Sequence, residues 1–124
     1  MNFSTFLILL IPILTASIAQ LCFKKGISNF SNLDFSLSSI YRLIPRILQN
    51  GWLMVGIFLF GISFLVYLIV LSKFQLNIVY PILVSAGIII IAVTSWIFLK
   101  ESLSLIQILG IIFIVFGIFL LLSK

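Results

Sequence analysis

The chain has 124 residues, 64% of them hydrophobic and 7% charged, with a net charge of +5. A soluble domain carries about 25% charged residues, so this chain cannot cover itself with a polar surface and its solvent must be lipid. The basic residues fall between apolar spans, where they set topology and meet lipid phosphates, so a nucleic-acid partner is not expected. Histidine is absent, and Cys22 stands alone inside an apolar run. That leaves no disulfide framework and no metal-ligand spacing, and no cofactor is expected. The length allows one unit over residues 1–124.

The first span is expected over residues 3–23. Ser17-Ile18-Ala19 resembles a signal-peptide cleavage box. No basic residue precedes the span, however, and Lys24 and Lys25 follow it, so it is read as a mature helix. Pro12 should bend it, because proline removes a backbone donor and crowds the preceding turn. Pro12, Ala16, Ala19 and Phe23 share a side, with Gln20 beside them. Small residues there permit close approach by another helix.

Residues 24–50 form the one long loop. Asn29, Asn32 and Asp34 mark a polar turn region. Leu37, Ile40, Tyr41, Ile44, Ile47 and Leu48 then recur at helical spacing, with Arg42 and Arg46 one turn apart on the other side. The pattern predicts a short interfacial helix, basic on one face and broken near Pro45. Two readings stay open for it: a grip on anionic head groups, or a loop helix resting on the membrane.

The second span is expected over residues 52–71. Gly51, Gly56 and Gly61 recur every five residues, and Ser63 and Tyr67 supply a polar side at i,i+4 spacing. A tight exit through Lys73 and Gln75 makes the second and third spans antiparallel neighbours. The third span, residues 78–99, holds no charged residue across 22 positions. At about 1.5 Å per residue it crosses a hydrocarbon layer of roughly 30 Å. Tyr80, Val84, Gly87, Ile91 and Thr94 fall on one side of it, and the heptad 80, 87, 94 reads hydroxyl, gap, hydroxyl. This helix is expected to line whatever the protein moves.

Lys100 to Ser102 is a short corner that places the fourth span, residues 103–122, beside the third. Gly110 and Gly117 lie seven apart, hence on one side, and are expected to make a dimer contact; packing within the chain is the alternative. Four spans return both termini to one side. Lys24, Lys25, Arg42, Arg46 and Lys100 stand on the opposite side, against Lys73 and Lys124, which favours the long loop in the cytoplasm.

No catalytic constellation is present, so an enzyme is not expected. The two carboxylates, Asp34 and Glu101, lie outside the spans, which argues against a proton antiporter built on a buried acid. Gln20, Ser63, Tyr67, Tyr80, Ser85, Thr94, Ser95 and Trp96 make up the hydrogen-bonding inventory within the membrane. These groups suit neutral polar ligands such as hydroxylated sugars. Lys24 and Lys25 at the mouth, with Arg42 and Arg46, could meet a head-group phosphate. As a topology signal the two lysines need no such role.

Tyr80-Pro81, the run Phe98-Leu99-Lys100-Glu101-Ser102-Leu103, and Gly110 with Gly117 resemble the EamA-type drug/metabolite transporter superfamily. Residues 63–122 are also similar to the small multidrug resistance proteins, four-helix chains that work as dimers. The resemblance implies that Tyr80 lines the translocation path, that Gly87 is a pliant point, and that Gly110 and Gly117 meet a partner. Two positions depart from that pattern: Ala16 stands at the place of the proton-coupling glutamate, and Leu83 at that of a stacking tryptophan.

The run Gln20-Leu21-Cys22-Phe23-Lys24, with Tyr80-Pro81, resembles most the small subunits of aminoarabinose–undecaprenyl phosphate flippases, which have a shorter first loop. The expectation is an all-α, four-span membrane protein of the bacterial inner membrane. It would be a flippase subunit for a polyisoprenyl-phosphate-linked sugar, working in lipid as a homodimer or with a related four-helix subunit. The path would run past Gln20, Ser63, Tyr67, Tyr80 and Thr94, with Pro12, Pro81 and Gly87 as hinges. The alternatives are an exporter of small metabolites or drugs, and a structural membrane subunit that transports nothing.

Overall fold

The computed structural model describes residues 3–31 and 33–123. The amino terminus, Asn32 and Lys124, used above as a topology marker, a turn former and a topology charge, lie outside the described residues. Five helices follow in order: α1 (Phe3–Ile27), α2 (Leu37–Gln49), α3 (Gly51–Lys73), α4 (Leu76–Phe98) and α5 (Leu105–Leu122). There is no strand among the described residues. All but α2 are long and apolar enough to cross a membrane.

Helix α1 runs one turn beyond its apolar stretch and ends with Lys24 and Lys25 in the last turn. Cations are favoured there by the partial negative charge of the free carbonyls. Helix α2 begins at Ser36, whose side chain accepts from the Ser39 backbone N–H. It passes through Pro45 without a break, contrary to the sequence expectation. Pro45 is exposed, so the Tyr41 carbonyl that loses its partner is within reach of water, and the helix continues.

Asn50 closes α2 and opens α3. Its Oδ1 accepts from the N–H groups of Trp52 and Leu53 at 3.0 and 3.3 Å, and its Nδ2 donates to the Gly26 carbonyl at 3.2 Å. A single side chain thus ties the end of α1 to the junction of α2 and α3.

The α1–α3 interface is the closest in the protein. A Cβ on Gly56 would stand 2.7 Å from the Phe23 ring and 3.2 Å from the Ala19 carbonyl; one on Gly26 would stand 2.6 Å from Leu53 Cγ. Ala19 is fully buried. Close backbone approach between small residues is how helices gain contact in lipid, where apolar burial alone supplies no drive. Leu9, Val70 and Val79 form the buried core between α1, α3 and α4 beside the short α3–α4 turn, with Ile8, Tyr67, Phe74 and Leu83 around them.

Helix α5 packs on α4 and buries none of its residues. It starts at Leu105, two residues later than expected, because Ser104 and Gln107 form a capping box: Ser104 Oγ accepts from Gln107 N at 3.2 Å, and Gln107 Oε1 accepts from Ser104 N at 2.8 Å. At the α4–α5 corner Lys100 adopts a left-handed backbone, φ 55°, and Glu101 N–H turns back onto the Ser95 carbonyl. Lys24 Nζ lies 3.5 Å from Glu101 Oε1, which puts the end of α1 and this corner at the same end of the bundle.

Candidate substrate cleft

Helices α1, α3 and α4 enclose a cleft of about 490 Å³. Pro12, Ala16, Ser17 and Gln20 line it from α1; Phe60, Ser63, Phe64 and Tyr67 from α3; Tyr80, Leu83, Val84, Gly87 and Ile91 from α4. No residue of α5 lines it, so its remaining side faces outward to the bilayer. The Leu9–Val70–Val79 core closes the end beside the α3–α4 turn, and Gln20 marks the other end, one helical turn short of Lys24.

Four of the five residues expected on a path, Gln20, Ser63, Tyr67 and Tyr80, therefore meet in one cavity, together with Pro12 and Gly87. Thr94 does not line it. Its hydroxyl is donated to the Ile90 carbonyl of its own helix at 2.6 Å. Ser85 and Ser95 are likewise bound to their own helix, at the Pro81 and Ala92 carbonyls. Such back-bonding satisfies a hydroxyl in lipid and withdraws its hydrogen from any ligand.

Ser63 gives its hydrogen to the buried Pro12 carbonyl at 2.9 Å. The side chains of Gln20, Tyr67 and Tyr80 make no hydrogen bond among the described residues. Ser17 likewise donates to the Ile13 carbonyl at 2.7 Å, so the uncommitted donors of the cleft belong to one amide and two phenols, all uncharged, set among aromatic and aliphatic walls. Tyr80 is 55% exposed in the single chain, so its ring stands at the open side.

The basic residues proposed for head groups divide differently from the sequence expectation. Lys24 is paired with Glu101, Lys25 lies 4.3 Å from the centre of the Trp52 ring, and Arg46 lies 5.9 Å from that of Phe30. Arg42 projects from the exposed side of α2. None of the four lines the cleft. Gly110 and Gly117 have nothing within 4 Å of where a Cβ would stand. Pro81 is half-buried and does not line the cleft, though Tyr80 before it does. The Asn50 clamp was missed from sequence; an asparagine directly before an apolar span is its only signal.

Four spans, three of which wall a lipid-facing cleft of uncharged polar groups, define a membrane transporter subunit of the small four-helix class. The chain belongs to the small multidrug resistance protein family, whose model matches residues 42–114. It is 31% identical over 118 residues to a probable 4-amino-4-deoxy-L-arabinose-phosphoundecaprenol flippase subunit, ArnF, of Serratia proteamaculans, covering 90% of this chain and 87% of that one. It is 29% identical over 114 residues to the probable ArnE subunit of the same kind of flippase from Pseudomonas fluorescens, covering 92% of this chain and 93% of that one. No solved structure matches the chain significantly.

Proposed function

We propose that this chain is a subunit of a flippase for a polyisoprenyl-phosphate-linked sugar, acting in the bacterial inner membrane as a pair with a second copy or a related four-helix subunit. The observation that carries the reading is the cleft itself. Gln20, Tyr67 and Tyr80 present unspent, uncharged hydrogen-bonding groups on a cavity whose open side faces lipid. A sugar could cross there while its isoprenoid tail stays among the acyl chains. The names of the two relatives point to the same substrate class. A cleft beside Tyr80 is also what a purely structural subunit would not need.

The basic excess around the first loop and the α4–α5 corner favours a cytoplasmic position for the Lys24 end of the cleft. Loading would occur there. Rocking of the paired units, with Pro12, Pro81 and Gly87 absorbing the bends, would expose the cleft to the other side. Among the described residues no carboxylate or basic side chain lines the cleft, so transfer would run downhill, drawn by consumption of the lipid on the far side.

The test is transfer of such a lipid across proteoliposomes. Tyr80→Phe and Gln20→Leu should each slow transfer while the protein still inserts; unchanged transfer in both would remove the path. The volume and the walls of Phe60, Phe64 and Ile88 also fit a free drug-sized molecule, which favours an exporter as the second reading. Uptake of a tail-free apolar cation into vesicles at a rate above that of the lipid would select it.

A further inference from the structure

We propose that the Lys24–Glu101 pair at the cleft mouth is the specificity element for a head group that carries one anion and one cation, an amino-sugar phosphate on a lipid carrier. This rests on the flippase reading and assigns the residues that would recognise the two charges. Pro12, Ala16 and Gln20 line the cleft at steps of four residues along α1, and Lys24 continues that row one turn further. Glu101 follows α4, the facing wall. The pair therefore bridges the mouth from wall to wall, at 3.5 Å, with side chains 60% and 50% exposed.

An ion pair this exposed contributes little to stability and exchanges readily. It keeps a cation and a carboxylate together without locking them. Lys25 is engaged over Trp52, and the other carboxylate, Asp34, lies in the first loop, so Glu101 is the carboxylate at the mouth, with Lys24 paired to it and Lys100 next to it in the chain. The left-handed turn at Lys100 and the bond from Glu101 N–H to the Ser95 carbonyl hold the Glu101 backbone against α4 while its side chain reaches α1. Beside it lies a depression lined by Trp96, Lys100, Glu101 and Ser102. The half-exposed Trp96 indole supplies a flat apolar surface for a sugar ring.

The ligand named for both relatives is an amino sugar joined through phosphate to a polyprenol. Its phosphate would replace Glu101 at Lys24, and its ammonium would replace Lys24 at Glu101. One ion pair within the protein is exchanged for two with the ligand, and no charge is left alone. A neutral sugar phosphate would take Lys24 from Glu101 and offer the carboxylate no cation in return, which is the source of discrimination.

The experiment is competitive binding to the purified full chain in nanodiscs, using two probes. One is a polyisoprenyl phosphate carrying an amino sugar; the other is the same lipid with its amine formylated. Wild type should prefer the amine by about two- to fivefold, the value of one exposed ion contact. Glu101→Gln, an isosteric change at an exposed site, should lose that preference by weakening the amine probe alone. Lys24→Gln should weaken both probes, since both carry phosphate. If wild type binds the two probes equally, or Glu101→Gln weakens both alike, the pair is only a structural tie and the proposal falls while the flippase reading stands. Binding of neither probe would remove both.

Discussion

The Ser63 hydroxyl donates to the Pro12 carbonyl oxygen at 2.9 Å across the α1–α3 interface, with both residues buried. The carbonyl that Pro12 leaves without a helical donor is that of Ile8, so this bond does not repair the ladder; it ties α3 to the α1 backbone at the proline itself. This bond fixes the floor of the cleft at Pro12, inside the continuous helix α1. Ser63→Ala should cost about 0.5–1.5 kcal/mol, the range of interhelical hydrogen bonds in lipid. The measurement is the unfolding midpoint in mild detergent. Transfer at saturating substrate should change less than for Tyr80→Phe, because the Ser63 hydrogen is already committed. A larger transfer defect in Ser63→Ala at unchanged stability would make the serine a ligand contact instead.

Gly56 and Gly61 look equivalent in the sequence and are not. A side chain on Gly56 meets Phe23 and the Ala19 carbonyl, whereas one on Gly61 meets nothing within 4 Å. Gly56→Val should destabilise by about 1–3 kcal/mol through overpacking. Gly61→Ala should be neutral or stabilising by up to about 1 kcal/mol, from helix propensity. Thermal unfolding of the two variants side by side checks both signs.

The contrast explains what was legible beforehand. The spans could be read because an apolar run of this length has no other solvent than lipid. Their ends could not, because Asn50 and the Ser104–Gln107 box act through backbone hydrogen bonds that hydropathy does not register. The five-residue glycine spacing marks no face: each step turns about 140° around a helix, so three such glycines point in different directions. The α1-facing side of α3 instead runs Leu53, Gly56, Ser63 and Val70, all buried, at spacings of three and seven. The heptad from Tyr80 to Thr94 drifts about 20° per seven residues. Tyr80 and Gly87 stay on the cleft, while Thr94 turns its hydroxyl to the Ile90 carbonyl.

Transport should not depend steeply on pH near neutrality. The chain has no histidine, and neither carboxylate lies within a span. Among the described residues no histidine, carboxylate, lysine or arginine lines the cleft, so it holds no proton carrier for the interval of about pH 5.5–7.5 in which histidine responds. The initial rate of lipid transfer across that interval, with equal pH on both faces, should vary by less than about twofold. A steep step would mean a proton is carried, and the downhill mechanism would have to be given up.

Helix α2 buries none of its residues, and Leu37, Ile40, Tyr41, Ile44 and Leu48 form one exposed apolar face. Arg42 and Arg46 lie on the opposite side. Asn50 holds the helix directly against the start of α3, at the boundary of the hydrocarbon. The apolar face should therefore lie among lipid and the arginines toward water and head groups. A spin label at Ile44 should be relaxed by oxygen, and one at Arg42 by a water-soluble nickel chelate. The reverse pattern would detach α2 from the membrane surface.

Helix α5 buries none of its residues and is expected to carry a contact between chains. Its half-buried residues are Ile111, Ile114 and Ile118, and Ile118 faces α1 and α4. Gly110 and Gly117 lie on an adjacent stripe with open space beside them. If that stripe receives a partner helix, Gly110→Leu with Gly117→Leu should abolish close approach between chains and leave each chain's own packing intact. Ile118→Ala should act the other way, loosening α5 from its own bundle at a cost of about 2–5 kcal/mol if the site is well packed, and less at a half-exposed one. Cross-linking yield in the membrane reads assembly, and the unfolding midpoint in detergent reads the chain. The expected result separates them: the glycine pair loses cross-linking at an unchanged midpoint, and Ile118→Ala lowers the midpoint first. Loss of both properties in the glycine variant would instead make the stripe an internal contact of the chain, leaving the partner to dock elsewhere.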